Sequence, residues 1–141
     1  MISMKHYLLL SCHLLVLTFV HSQSYEAHLE LAKQAYFEGD LEIAIREINH
    51  AINYNRKESW TYYLRSKINA ENGNYNEAYI DVDSAIRMEK DVYYYYAQRG
   101  ECLFVFDKYE EALKDLNIAL AGDSTLDEAY FNRYAILERQ G

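Results

Sequence analysis

The segment Gly73–Ile86 reads GNYNEAYIDVDSAI, a turn followed by a helical pattern that occurs three times in the chain. The copies at 39–52 (GDLEIAIREINHAI) and 107–120 (DKYEEALKDLNIAL) lie 34 residues before and after it. In each copy two alanines stand seven residues apart, as Ala78 and Ala85 do. Seven residues are two helical turns, so both alanines lie on one helix face, where a neighbouring helix can approach closely. A fixed period of this length indicates a stack of similar units.

A second helical pattern precedes each turn, so each unit is predicted to be a pair of antiparallel helices, A and B. Gly39 and Gly73 suit the left-handed backbone that ends a helix, whereas Asp107 adopts it less readily, which predicts a strained third turn. Asp91 and Ser124 are expected to cap the helices that follow them. Three units and a final helix are predicted, at 25–58, 59–92, 93–126 and 127–141.

The repeat resembles the tetratricopeptide repeat (TPR), which has a bulky and then a small residue in helix A, Gly-Asp/Asn-Tyr at the turn and two alanines in helix B. The matching residues are Leu31, Ala32, Gly39, Asp40, Leu41, Ala44, Ile48 and Ala51; Ser66, Gly73, Asn74, Tyr75, Ala78, Val82 and Ala85; and Gly100, Tyr109, Ala112, Leu116 and Ala119. The family's junction proline is replaced by Arg56, Lys90 and Ser124. The resemblance implies an all-α, right-handed superhelical solenoid of three repeats plus a terminal helix.

In proteins of this family the A helices form a concave wall that binds peptides or partner helices. Alignment by the 34-residue period places aromatic residues with scattered charges on that wall. The candidate binding residues are Lys33, Tyr36, Phe37, Trp60, Tyr63, Lys67, Tyr94, Glu101, Phe104 and Phe131. The alternative for each aromatic residue is packing between repeats. The run Tyr93–Tyr96 cannot all face one core, because successive helix positions rotate by about 100°, so at least one ring is expected outside.

Chaperone-binding members of the family clamp a terminal carboxylate with lysine, asparagine and arginine at fixed places on this wall. Leu29 and Lys33 occupy the first two of those places, so binding of chaperone tails is not expected. The resemblance therefore implies a protein or peptide ligand of unknown identity.

A charged pair recurs inside the repeats. Arg65 precedes Asp81 by 16 residues and Arg99 precedes Asp115 by the same interval, which places each arginine on an A helix and each aspartate on the following B helix. We expect each pair to bridge its hairpin as an exposed structural ion pair, worth under about 1 kcal/mol. The first unit has Leu31 in place of the arginine and is expected to lack the bridge.

Composition argues against several classes of function. The 141 residues carry a formal charge of −8, which repels phosphate backbones, so nucleic acid is not an expected partner. No phosphate-binding glycine loop or nucleophile elbow occurs, and His28 and His50 lack the spacing of a zinc site. Cys102 is expected to be a small core residue. We therefore predict no catalytic residues, no metal and no cofactor, and a hydrolase is disfavoured.

The first 22 residues have the pattern of a secretory leader. Lys5 precedes a mostly apolar stretch from Tyr7 to Val20, which is shorter than the roughly 20 apolar residues of a membrane span. Cleavage after Ser22 predicts export to the periplasm or the extracellular space, with no transmembrane segment left. A lipoprotein anchored through Cys12 is the disfavoured alternative.

The predicted last helix, 127–141, is apolar on more than one side, and its Tyr134 stands where the other A helices place a small residue. Three alternatives are open: the tyrosine fills the place of an absent partner helix, the protein self-associates there, or the chain is the first part of a longer envelope protein. We predict an exported, non-enzymatic interaction module. The competing hypothesis is a structural or self-assembling subunit that associates through this helix.

Overall fold

The computed structural model describes residues 24–140, and its regular secondary structure in this range is entirely α-helical, which confirms the predicted class. The helices of this range are α1 (24–38), α2 (Leu41–Tyr54), α3 (Ser59–Glu71), α4 (Tyr75–Met88), α5 (Tyr93–Val105), α6 (Tyr109–Gly122) and α7 (Asp127–Gln140). They belong to two compact units, one that ends at Arg56 and one that begins at Lys57. The predicted leader and Cys12 lie outside the described residues. Between residues 24 and 140, no helix is both long and apolar enough to cross a bilayer.

The first unit consists of α1 and α2, which are joined by a glycine turn. Gly39 has a φ of 83°, the left-handed conformation that the sequence predicts for it. The carboxylate of Asp40 caps α2 by accepting a hydrogen bond from the Ile43 amide at 3.1 Å. The turn therefore both ends α1 and begins α2.

A buried carboxylate, that of Glu47, links the two helices of this unit. It accepts hydrogen bonds from His28 Nδ1 at 2.7 Å and from Arg46 Nε at 2.9 Å. Leu31 occupies the place of the arginine on α1. A histidine on the same helix thus partners the buried acid of the first hairpin.

In the second unit, α3 pairs with α4 and α5 with α6, while α7 packs on α5 and α6. Small residues set the distance between paired helices. Ser66 on α3 donates a hydrogen bond to the Ala78 carbonyl at 2.8 Å, and a Cβ added to Gly100 would lie 2.8 Å from Leu116 Cγ. Larger side chains on either side would therefore separate the helices, which explains why these positions are small.

The turns of this unit follow the prediction at two places and depart from it at two others. Gly73 has a φ of 78°, and Asp107 adopts a φ of 58°, which is strained for a residue with a Cβ. The caps predicted at Asp91 and Ser124 were wrong: α5 has Val92 at its N-cap without a side-chain hydrogen bond, and Ser124 lies three residues before α7. Neither residue stands directly before the helix that it was expected to begin.

The loop before α7 is held by a different side chain. Asp123 Oδ1 accepts hydrogen bonds from the amide of Thr125 at 2.8 Å and from its hydroxyl at 2.6 Å. These bonds lower the pKa of the Asp123 carboxyl. The turn between the third hairpin and α7 is therefore an aspartate-stabilised one.

Both predicted arginine bridges form across their hairpins. Arg65 Nε and Nη2 donate to the two carboxylate oxygens of Asp81 at 2.8 and 2.6 Å, and Arg99 does the same to Asp115 at 2.7 and 3.0 Å. Both aspartates are buried, so the pairs are not the exposed contacts that the sequence led us to expect. Arg99 also donates to Asp83 at 2.9 Å and thereby links α5 to α4 of the preceding hairpin.

Candidate functional site

The side chains of α3, α5 and α7 line two adjoining cavities in the second unit, which we call together the A-helix groove. The acidic cavity has a volume of about 470 Å³ and is lined by Lys67, Ala70, Glu71, Gln98, Glu101, Asp127, Glu128, Phe131 and Asn132. The aromatic cavity has a volume of about 300 Å³ and is lined by Tyr63, Lys67, Tyr94, Ala97, Gln98, Thr125, Leu126, Asp127 and Glu128. Because four residues line both cavities, one ligand can occupy the two together.

Carboxylates dominate the acidic cavity. Its wall carries four of them and one ammonium group, that of Lys67, so its formal charge is negative. Lys67 Nζ lies 3.3 Å from both carboxylate oxygens of Glu128, a contact that joins α3 to α7. Burial raises the pKa of Glu101, and the charge of Glu128 raises it further, while Lys67 and the side chain of Gln98 oppose the change. The wall therefore favours the arrival of positive charge.

An aromatic cluster borders the aromatic cavity. The ring centroids of Trp60 and Tyr63 are 5.3 Å apart, and those of Tyr63 and Tyr94 are 4.9 Å apart. Trp60 is 38% exposed and Tyr94 36%, so the cluster has solvent-facing rings. Burial raises the pKa of Tyr63, so its hydroxyl stays protonated and able to donate a hydrogen bond at neutral pH. The cluster offers flat apolar faces with polar edges, as protein-binding surfaces do.

Gln98 on α5 lines both cavities and is only 3% exposed. Its side chain is near enough to Glu101 to lower the pKa of that carboxyl, yet its Nε2 makes no hydrogen bond of good geometry with the residues that the structure describes. An unsatisfied buried amide costs roughly 1 to 3 kcal/mol. Rotation of this amide toward the shared wall would let an acceptor on a ligand remove that cost.

The structure places five of the residues predicted from the sequence in the groove: Tyr63, Lys67, Tyr94, Glu101 and Phe131. Trp60 contacts Tyr63 and Tyr94 at its edge. Phe104 does not line either cavity, because the guanidinium of Arg139 covers its ring at 4.7 Å and Tyr109 packs against it. The tyrosine run has two exposed members, Tyr93 and Tyr94, in agreement with the prediction.

The remaining predicted residues, Lys33, Tyr36 and Phe37, belong to the first unit. Lys33 Nζ donates a hydrogen bond to Glu30 at 2.7 Å, Tyr36 is half-buried, and Phe37 is 95% exposed. Gln98 is not among the site residues predicted from the sequence. Its signal was its position four residues after Tyr94, which puts the two side chains on the same face of α5.

The described residues offer little for catalysis. Cys102 is fully buried among Ala70, Ala78 and aromatic rings, and burial raises the pKa of its thiol to about 12, which leaves it unreactive at neutral pH. From residue 24 to residue 140, histidine, cysteine and acidic side chains form no group of three that could hold a metal ion. The open groove combines charge with exposed aromatic rings, features that are typical of binding surfaces.

Comparisons with known proteins give a clear result for the fold. No protein-family model matches the chain, and no curated protein matches it significantly. The TPR domain of Arabidopsis OM64 is similar at 21% identity and a TM-score of 0.80, over 84% of this chain and 98% of that domain. The first TPR of Spaghetti (RPAP3), bound to the HSP90 peptide SRMEEVD, is similar at 20% identity and a TM-score of 0.79, over 84% of this chain and 94% of that chain. The TPR2B domain of yeast Sti1, in complex with pHsp70, is similar at 18% identity and a TM-score of 0.76, over 83% of this chain and 98% of that chain. The chain therefore has the TPR fold.

Proposed function

We propose that this protein is an exported, non-enzymatic interaction module that binds a peptide or a partner helix in the A-helix groove. The observation that carries the proposal is the aromatic cluster of Trp60, Tyr63 and Tyr94 at the edge of an open cavity, in which the rings of Trp60 and Tyr94 are exposed. Exposed aromatic rings grouped beside a concave surface are typical of protein recognition. The exposed rings of Trp60 and Tyr94 could bury further surface against a ligand without any change in the hairpin.

The peptide complexes of RPAP3 and Sti1 support a binding role for the fold. Their ligands are not the ligands proposed here. The HSP90 peptide SRMEEVD contains three acidic side chains, and the acidic cavity would repel such a segment because four carboxylates already line it. The ligand of this protein is accordingly expected to lack such a group of acidic side chains.

Capture of a partner by crosslinking in the native host tests the groove. The double variant Trp60→Ala with Tyr63→Ala is expected to lose the captured protein. It is expected to keep its helical circular dichroism because the alanine contacts between helices remain, although Tyr63 also packs against the core cluster that contains Val82. A matched control is Ile80→Ala with Met88→Ala, which removes two exposed apolar side chains of α4. Unchanged capture by the groove variant, or equal loss in the control, would rule out the groove.

Export is proposed on the leader pattern of the first 22 residues. Amino-terminal sequencing of the protein recovered from the host is expected to begin at Gln23, in a periplasmic or secreted fraction. A lipid-bearing Cys12 at the amino terminus would instead establish the lipoprotein alternative. An uncleaved Met1 in the cytoplasm would refute export.

A second candidate function is self-association through α7. Its side chains Tyr130, Phe131, Tyr134 and Leu137 are each more than 40% exposed and form an apolar surface of the kind that associates with other chains. Light scattering at several protein concentrations tests it: a molar mass that rises with concentration, and that Tyr134→Glu with Leu137→Glu returns to the monomer value, would support assembly. A constant monomer mass removes this candidate.

A further inference from the structure

The charge and the aromatic rings of the A-helix groove favour one class of peptide, and this inference rests on the proposed function. We infer that the groove binds a basic segment, with a lysine or arginine side chain in the acidic cavity and a neighbouring apolar side chain against the aromatic cluster. Charge, an unsatisfied amide and ring geometry each contribute to this assignment.

The negative charge of the acidic cavity favours a ligand that carries positive charge. Glu101, Asp127 and Glu128 project from two helices into one space, and Glu71 approaches it from a third. Lys67 contacts Glu128 at 3.3 Å, so its charge is already engaged by a carboxylate of the same wall. The excess of negative charge in a space that excludes part of the solvent attracts a cation more strongly than an exposed carboxylate does.

The buried amide of Gln98 indicates that the cation belongs to a peptide. Nε2 of this side chain is a donor, and the structure between residues 24 and 140 provides no acceptor in good geometry for it. This Nε2 is shielded from solvent, so a peptide carbonyl at the wall shared by the two cavities would accept from it once the amide rotates toward the groove, whereas a metal ion or an ammonium ion offers no acceptor. An unpaired donor thus lies beside the carboxylates that attract a cation.

The aromatic cluster completes the pattern. Tyr63 and Tyr94 line the aromatic cavity together with Asp127 and Glu128, so ring faces and carboxylates border the same space. A guanidinium or an ammonium group is attracted both by carboxylates and by the faces of aromatic rings. An acidic peptide would lose both attractions and would bring its own charge against the wall.

Fluorescence anisotropy with three labelled peptides tests the assignment on the full chain. The peptides have about ten residues, share alternate leucines and differ only at the other positions, which are arginine, glutamine or glutamate. The arginine peptide is expected to bind at least about tenfold more tightly than the other two. Its affinity is expected to fall with added salt, because the attraction is partly exposed.

Matched variants separate the cavity from the general charge of the chain. Glu101→Gln with Glu128→Gln is expected to weaken the arginine peptide by about tenfold or more. The control, Glu110→Gln with Glu111→Gln, removes the same charge from the start of α6, outside the groove, and is expected to leave the affinity unchanged. Circular dichroism establishes that both variants are folded.

Three outcomes would overturn the inference. Equal weakening by the control would mean that the peptide follows net charge alone. Preference for the glutamine or glutamate peptide, lost in the Trp60→Ala and Tyr63→Ala variant, would leave the groove as a binding site but with a ligand of different charge. Absence of binding by all three peptides up to about 1 mM would also reject the inference, and the crosslinking experiment would then decide the proposed function by itself.

Discussion

The ring of Tyr93, the first residue of α5, lies against the backbone of Gly122, the last residue of α6. A Cβ placed on Gly122 would come within 2.0 Å of Tyr93 Cγ and within 2.1 Å of Cδ1. Glycine is required at this position by contact rather than by backbone conformation. The two ends of the third hairpin are therefore joined by a ring that fits only where a side chain is missing.

Gly122→Ala is expected to destabilise the chain by about 1 to 3 kcal/mol, because the added methyl group forces the Tyr93 ring out of its place. Alanine gains up to about 1 kcal/mol of helix propensity, which offsets only part of this cost. In a Tyr93→Ala background the same substitution is expected to be neutral or stabilising, since the clash is gone. Thermal unfolding of the four proteins in this cycle measures the difference. Equal effects in both backgrounds would contradict the contact.

Ala78→Leu is expected to lower stability by about 1 to 3 kcal/mol, because Ala78 is fully buried on the face of α4 that meets α3. The melting temperature of the variant measures the effect. Ile80→Leu is the control, since Ile80 is exposed on the same helix and its replacement preserves volume. A wild-type melting temperature for Ala78→Leu would refute the register on which the repeats were aligned.

Arg99→Lys is expected to destabilise the chain by about 1 to 3 kcal/mol, although the charge is retained. Arg99 donates to both oxygens of Asp115 and to Asp83, and an ammonium group cannot reproduce this planar set of bonds. The control is Arg87→Lys, because that side chain is mostly exposed and its ion pair contributes little. Denaturation with urea compares the two. If both substitutions lower the free energy of unfolding equally, the planar set of hydrogen bonds made by Arg99 contributes no extra stability.

Glu47→Gln is expected to reduce the acid sensitivity of the chain. Hydrogen bonds from His28 and Arg46 hold the pKa of Glu47 below its ordinary value, which is about 4.3 in the unfolded chain. Between those two pKa values the unfolded state binds more protons, so the stabilisation present at neutral pH is lost as the pH falls through that window.

Urea denaturation at a series of pH values measures this effect. The stability difference between the wild-type chain and Glu47→Gln is expected to shrink from about pH 5 downward. Glu42→Gln, on the exposed side of the same helix, serves as the control and is expected to keep the wild-type profile. Parallel profiles for wild type and Glu47→Gln would contradict the assigned role of the His28 contact.

The 34-residue period was enough to predict which side chains of neighbouring helices lie close together. It correctly placed Trp60 and Tyr94 together and paired Arg65 with Asp81, because residues 34 or 16 apart occupy equivalent or facing positions in a regular repeat. It did not predict that the Asp81 carboxylate is buried. Burial depends on how closely the next hairpin covers a face, and the spacing within one hairpin does not contain that information.

Phe104 illustrates the same limit at the candidate site. Its position in the repeat matches the wall, yet Arg139 from α7 covers its ring and removes it from the cavities. The pairing of Lys67 with Glu128, 61 residues apart, likewise depends on the approach of α7 to α3. Contacts that a later helix brings to an earlier one are not encoded in the period of the repeat.

The repeat period and the regularly spaced alanines determined the helical hairpins from sequence alone, because close contacts between helices need small residues at fixed intervals. Tertiary structure decided the negative charge of the groove and the exposure of its aromatic rings. Charges from α3, α5 and α7 act on one another only when the helices bring them within a few ångströms, since their interaction falls with distance and solvent screens it. This convergence of charges depends on how the three helices pack, and the sequence of any one helix does not show it.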